Sequence, residues 1–90
     1  MKLEWDETKR LATLRLRGLD FADALTVFSS SELELEDDRK NYGEKRLITF
    51  GFIDDRPVAM VWTPRDKNRR IISMRHVHDD EIEARRRTLD

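Results

Sequence analysis

The stretch RRIISMRHVHDDE, Arg69 to Glu81, decides how this chain is read. Basic side chains surround a short apolar run, and the composition then turns abruptly acidic. Alternation places Ile72 and Met74 on one face and Ile71, Ser73, Arg75 and Val77 on the other, which predicts a strand. The acids that follow open a helix from Asp79 to Leu89 that starts with Asp79, Asp80 and Glu81 and ends with Arg85, Arg86 and Arg87, an order that suits the helix macrodipole. Its apolar residues, Ile82, Ala84 and Leu89, make only a weak face, so it packs loosely or waits for a partner. The strand either merely closes a sheet or presents Arg75, His76 and His78 as a chemical surface.

Upstream, two further strands share the same period. Arg46 to Ile53 sets Ile48, Phe50 and Phe52 against Thr49 and Gly51. After a turn at Asp54-Asp55-Arg56-Pro57, a second strand sets Val58, Met60 and Trp62 against Ala59, Val61, Thr63 and, beyond Pro64, Arg65. A polar turn, Asp66 to Arg69, leads into the last strand. One face of this sheet is large and apolar, and the opposite face gathers Thr49, Thr63, Ser73 and Arg75. Earlier still, Asp6 caps a helix that runs to Arg17, with Leu11 and Leu14 on one side, and Gly18 stops it. Asp20 caps a second helix whose Phe21, Ala24, Leu25 and Phe28 fall at helical spacing, ending in Ser29 to Ser31. Leu33 and Leu35 alternate with Glu32, Glu34 and Glu36 as an edge strand, and Asp37 to Lys45, containing Gly43, is a loop. The expected fold class is α+β: two N-terminal helices packed on one face of a roughly four-stranded antiparallel sheet, plus a C-terminal helix, as one domain over residues 1–90.

Composition narrows the function. Ninety residues with 38% hydrophobic content support one small core. The longest apolar runs, such as Pro57 to Trp62, fall far short of the ~20 residues that span a bilayer, and no apolar segment follows Met1 and Lys2. A soluble, cytoplasmic protein without membrane contact is expected. The absence of cysteine excludes a disulfide scaffold, a zinc–thiolate site and a cysteine nucleophile. The net charge of −1 is unevenly spread: residues 1–45 carry −3 and residues 46–90 carry +2. Arg65 to His76 holds five basic side chains against Asp66, a patch that can attract phosphate although the whole chain is not basic enough to bind nucleic acid by bulk charge. There is no Gly-rich phosphate loop, HExxH motif or GxSxG elbow, and no cofactor is expected.

The words EWDETKR (Glu4 to Arg10), RGLDFADALTVF (Arg17 to Phe28), DDRKNYGEKR (Asp37 to Arg46) and RRIISMRHV (Arg69 to Val77) resemble the BrnT toxin family in order and spacing. That family's pattern runs WD-x-x-K, KHG-x-x-F-x-x-A, D-x-R-x-x-YGE-x-R, T-x-R and RIISARKA. The matching positions are Trp5-Asp6, Lys9, Phe21, Ala24, Asp38 or Asp37 with Arg39, Tyr42-Gly43-Glu44, Arg46, Gly51, Thr63, Arg65, Arg70 to Ser73 and Arg75. The departures are Leu16-Arg17-Gly18 for KHG, Thr13 for an asparagine, Met74 for the alanine of ISAR and His76 for the lysine after it. The resemblance implies a fold like that of the RelE and ParE toxins and a ribonuclease of a type II toxin–antitoxin pair. It also implies a BrnA-like ribbon-helix-helix antitoxin as partner, a heterotetramer with that antitoxin, and contact with operator DNA only through it.

Metal-free RNA cleavage needs a base for the 2′-OH, donors for the charged phosphorane and an acid for the leaving oxygen. Arg75 is the first candidate for the phosphate, with Arg65 and Arg46 in support. Arg75 has a second possible place, in an ion pair with an acid of the last helix. His76 and Glu44 are the acid/base candidates, although His76 leans toward the apolar face and Glu44 can simply pair with Arg46 or Arg39. Arg17, Tyr42, Thr63, Arg70 and Ser73 complete the expected RNA contacts. Tyr42 either stacks on a base or covers the core edge, and Trp5 and Trp62 belong to the core. His76-x-His78 with Asp79 and Asp80 has donors for a metal, but carboxylates at a helix start are explained by capping, and no metal is expected. Three functions remain: a metal-independent endoribonuclease toxin, an attenuated module of the same fold that binds its antitoxin and tunes repression, or a solitary structural domain without a partner, against which the family words speak.

Overall fold

The computed structural model describes residues 2–88. Its sheet has five strands in the order β1-β5-β4-β3-β2. The strands are β1 (Leu3–Trp5), β2 (Leu33–Glu36), β3 (Leu47–Ile53), β4 (Arg56–Arg65) and β5 (Asn68–His76), and the helices are α1 (Glu7–Arg17), α2 (Ala24–Ser29) and α3 (Asp79–Arg87). The α+β class holds, but four strands become five. The additional one, β1, pairs parallel to β5 with Leu3 opposite Arg69 and Trp5 opposite Ile71, so the sheet is mixed. Three residues are too short to show a period, and their pairing partner lies far along the chain.

The β3–β4 hairpin fixes which face each side chain joins. Asp54 and Asp55 both adopt positive φ, 51° and 63°, and form a two-residue turn of the kind that matches strand twist. Ile53 therefore pairs with Arg56, Thr49 with Met60 and Leu47 with Trp62. Directly opposed residues share a face. Thr49 and Gly51 thus lie with Val58, Met60 and Trp62, whereas Ile48 and Phe50 lie with Ala59 and Val61. The expected division into one apolar and one polar face is corrected to two apolar layers. The first contains Leu19, Phe21, Ala24, Val27, Ile53, Val58, Met60, Trp62, Ile71 and Met74. The second contains Ile48, Phe50, Ala59, Val77 and Ile82. In β5 a bulge opposite Val61 and Trp62 inserts Ile72, which turns Ile71 rather than Ile72 onto the side of Met74.

Helix arrangement also differs from two N-terminal helices lying on one face. Asp6 accepts from the backbone N–H groups of Thr8 and Lys9, and Gly18 closes α1 at φ 70°, yet α1 buries none of its residues. It is held beside β5 by polar contacts: Arg10 to Asp20, and Arg17 to the Met74 carbonyl. The second helical segment opens with a 3-10 turn, Phe21–Asp23, before α2. Three residues per turn bring Phe21, Ala24 and Val27 into line, so Val27 is buried where Leu25 was expected, and Leu25 is 64% exposed. Helix α3 covers the second apolar layer through Ile82, while Ala84 is exposed and Leu89 lies outside the described residues.

Gly51 sets how closely α2 approaches the sheet. A Cβ there would fall far inside contact with the Val27 carbonyl oxygen and 2.9 Å from Ser30 Oγ. Ser30 Oγ meanwhile accepts from the Phe52 N–H at 2.9 Å, so helix and strand are joined at that point. Gly51→Ala is expected to lower stability by about 1–3 kcal/mol, measured by urea unfolding, because α2 must back away from β3.

Candidate nucleic-acid interface

Five residues expected at the site, Tyr42, Glu44, Arg46, Thr63 and Arg65, come together where the 37–46 loop meets the end of β4. Asp37 opens that loop with a side chain only 1% exposed. Arg39 grips both its oxygens, at 2.8 and 2.9 Å, and the Tyr42 hydroxyl donates to Oδ2 at 3.3 Å. The Asp37 N–H bonds the Arg46 carbonyl at 2.8 Å, closing the neck of the loop. Gly43 turns it at φ 73°, its N–H given to the Asn41 side chain. Thr63, 1% exposed, donates its hydroxyl to the Lys45 carbonyl at 2.6 Å. Thr63 therefore ties the loop to the sheet, and its hydroxyl is occupied.

This anchoring presents a compact charged group. The Arg46 guanidinium lies 3.9 Å over the Tyr42 ring, with the Lys40 ammonium 5.2 Å from the same ring. Glu44 stands between two arginines: Arg46 Nε is 3.2 Å from its Oε2 and Arg65 Nη2 is 3.6 Å from its Oε1. The side chains of Arg46, Glu44 and Arg65 are 26%, 31% and 49% exposed, so all three reach solvent. Two guanidinium groups converging on one carboxylate make a seat that a phosphate, with similar oxygens and more charge, can also fill.

The other expected residues lie elsewhere. Arg75 is opposite Ala59 on β4, six residues from Arg65, or roughly 20 Å at 3.3 Å per residue. Its guanidinium makes a two-pronged pair with Glu81 of α3, at 3.2 and 2.6 Å. That pair holds the Glu81 carboxyl below the usual carboxylate range, chiefly through the Arg75 hydrogen bonds. Of the two places open to Arg75, the structure shows the ion pair. The His76 ring lies 2.8 Å from the Arg17 carbonyl at the end of α1, and Arg17 itself is spent on the Met74 carbonyl at 2.6 Å. Arg70 faces Glu4 across the parallel β1–β5 pair at 3.9 Å, and Ser73 is half-buried opposite Val61. His78 occupies the N-cap position of α3 without a side-chain cap bond. Among the described residues, no group of three His, Asp or Glu side chains is placed to hold a metal ion.

Arg69, one of the five bases of the patch expected to attract phosphate, is turned to another use. Its guanidinium covers the Phe28 ring at 4.2 Å and the Trp62 ring at 5.0 Å, so part of the basic patch serves as a lid on the core rather than as an anion site. Trp62 meanwhile donates Nε1–H to buried Thr49, which donates to the exposed Glu34, a polar chain that satisfies the indole.

A family model described as the ribonuclease toxin, BrnT, of type II toxin–antitoxin systems matches residues 5–81. The chain belongs to the BrnT family. No curated protein matches it. Membership implies an antitoxin partner, and the match extends over every element from the last residue of β1 to the first turn of α3. No helix among the described residues is long and apolar enough to cross a membrane.

Asp37 is the keystone of the BrnT loop, and its titration reports on it. Hydrogen bonds from Arg39 outweigh desolvation, which acts to raise it, and bring its pKa from the ordinary 3.8 down to about 2. A depressed pKa stabilises the fold above the unfolded value and is lost as pH falls from about 3.8 through 2. Asp37→Asn is therefore expected to lower the urea midpoint at pH 7, with the gap to wild type closing as both are titrated toward pH 2.

Proposed function

We propose that this BrnT-family chain is a cytoplasmic, metal-independent endoribonuclease, formed by a single domain over residues 1–90 and neutralised by a BrnA-like ribbon-helix-helix antitoxin. The observation that carries the chemistry is the placing of Glu44 between Arg46 and Arg65. RNA brings a phosphate to the two arginines and displaces the carboxylate from them by competition for the same donors. Glu44 then stands beside the scissile phosphate as the base for the adjoining 2′-OH. Attack of that oxygen on phosphorus, its proton passing to Glu44, gives a 2′,3′-cyclic phosphate and frees the 5′-oxygen, which takes its proton from solvent water, while Arg46 and Arg65 carry the charge of the phosphorane. Tyr42 holds Arg46 in place from below through its ring and is itself held by Asp37. Lys40 and Arg70 extend the basic surface along the strand ends for flanking phosphates. Complexes with the antitoxin are heterotetramers that reach operator DNA through the antitoxin alone.

Arg75 and His76 contribute to catalysis in this scheme only if α3 and α1 release them. A second reading is favoured by that same pairing: with Arg75 closed by Glu81 and both site arginines already satisfied by Glu44, the chain acts as an attenuated module whose work is to hold the antitoxin and tune repression. Cleavage of total RNA in EDTA separates the two. Glu44→Gln is expected to lower the rate about 10²–10⁴-fold, as loss of a general base does, with Arg65→Ala at least as severe and Arg75→Ala close to wild type. Intact RNA after incubation with folded wild-type protein would favour the attenuated module, and full activity in Glu44→Gln would remove Glu44 as the base.

A further inference from the structure

Helix α3 covers the face of the sheet that carries the charged group, and its apolar hold there is small. It buries one residue, Ile82, against the layer of Ile48, Phe50, Ala59 and Val77, and its N-cap residue, His78, makes no side-chain cap bond. Two ion pairs add to this hold: Glu81 to Arg75 at 2.6 Å and Arg86 to Glu32 at 3.7 Å. On the sheet, Arg70, Ser73 and Arg75 lie opposite Thr63, Val61 and Ala59 of β4, so the three side chains share the α3 side of β5. Thr63 and Ala59 are four residues apart, which puts Arg70 and Arg75 about 13 Å apart at 3.3 Å per residue, or about four nucleotides of a stacked strand at ~3.4 Å each. Arg70 meets Glu4 only at 3.9 Å, whereas Glu81 grips Arg75 with both oxygens. The Arg75–Glu81 pair is no buried brace, since its side chains are 43% and 31% exposed. A pair so open to solvent contributes little to stability, yet its two-pronged geometry is the one a guanidinium offers to phosphate as well.

We propose that Glu81 is an autoinhibitory stand-in for an RNA phosphate, holding shut at Arg75 a second phosphate subsite about four nucleotides along the sheet from Arg70. The ligand is single-stranded RNA already seated on Arg46 and Arg65, so the inference rests on the function proposed above and adds the regulation of that surface. A strand too short to reach Arg75 leaves the pair closed. A longer one brings a phosphate against Arg75 in competition with Glu81, with the Ser73 hydroxyl on the path between. The competition is between two anions, because Arg75 holds the Glu81 carboxyl below the usual carboxylate range.

The test is binding of the full chain to 2′-O-methyl RNA of two lengths, a trimer and an octamer, followed by fluorescence anisotropy. Glu81→Gln is expected to bind the octamer about tenfold more tightly than wild type does, the gain of one charge-assisted contact, and the trimer no more tightly. The log affinity of the variant for the octamer is expected to fall more steeply with log salt, by about 0.7, as one more phosphate neutralised on a single strand requires. Glu83→Gln removes the same charge from the same helix, where Glu83 pairs with Arg86, and is the control without gain. Arg75→Ala in the Glu81→Gln background abolishes the gain. Glu81→Asp keeps the charge but draws the carboxylate back by one methylene, and is expected to gain about threefold, which keeps the test open should Glu81→Gln fail to fold. Folded Glu81→Gln with a lower urea midpoint and no gain for the octamer makes the pair a structural brace and overturns the inference. An equal gain for trimer and octamer, or one in Glu83→Gln, is a general effect of charge and overturns it too. So does an equal gain for poly-L-glutamate, which assigns Arg75 to an acidic protein segment. Arg65→Ala is the separate arm: unchanged trimer binding there strikes the seat at Glu44, while a gain in Glu81→Gln still supports the subsite at Arg75.

Discussion

The two-residue turn at Asp54 and Asp55 is the constraint from which the rest of the molecule follows. By pairing Ile53 with Arg56 it commits Thr49, Gly51 and Ile53 to the layer under α2 and Ile48 and Phe50 to the layer under α3. Gly51 then leaves room for the backbone of α2, and Thr49 meets the Trp62 indole that would otherwise be a buried orphan donor. The same register carries β4 to its far end, where Thr63 catches the Lys45 carbonyl and Arg65 arrives beside Glu44. A slip of one residue in this hairpin would exchange the two layers and dismantle the charged group.

Charge in this chain is organised locally rather than as a field. Most arginines are held by acids close at hand: Arg39 by Asp37, Arg46 and Arg65 by Glu44, Arg75 by Glu81 and Arg86 by Glu32. The net charge of −1 follows from 18 basic against 19 acidic residues. A phosphate that approached any of these paired arginines would have to compete with an internal carboxylate. The Glu44 seat is suited to such competition because it is solvent-accessible and its two cation contacts are long, whereas Arg75 is closed by a short two-pronged pair.

Much of this was legible in the sequence, and the errors have physical causes. Asp6 and Gly18 bound α1 as their capping chemistry requires, and the words around Tyr42-Gly43-Glu44, Thr63 and Arg65 named the residues that converge. The faces of β3 were misassigned because the more apolar set, Ile48, Phe50 and Phe52, was matched to the more apolar set of β4. Hairpin parity overrides that preference: an even-numbered turn puts odd residues of one strand beside even residues of the next. Two local departures from ideal period, the 3-10 turn before α2 and the bulge at Ile72, moved Leu25 and Ile71. The short strand β1 and the sandwich of Arg69 on Phe28 and Trp62 depend on contacts far apart in the chain, which no window of sequence contains.

The most direct test of the site is a titration of the ¹⁵N-labelled protein with a short 2′-O-methyl RNA, which keeps the phosphates but cannot be cleaved, following the arginine Nε–H signals by NMR. The account predicts that the Arg46 and Arg65 signals move together and saturate with one ligand, while that of Arg75, held by Glu81, stays in place. Movement of Arg75 with Arg46 and Arg65 unaffected would contradict it and would transfer the phosphate site to the strand under α3.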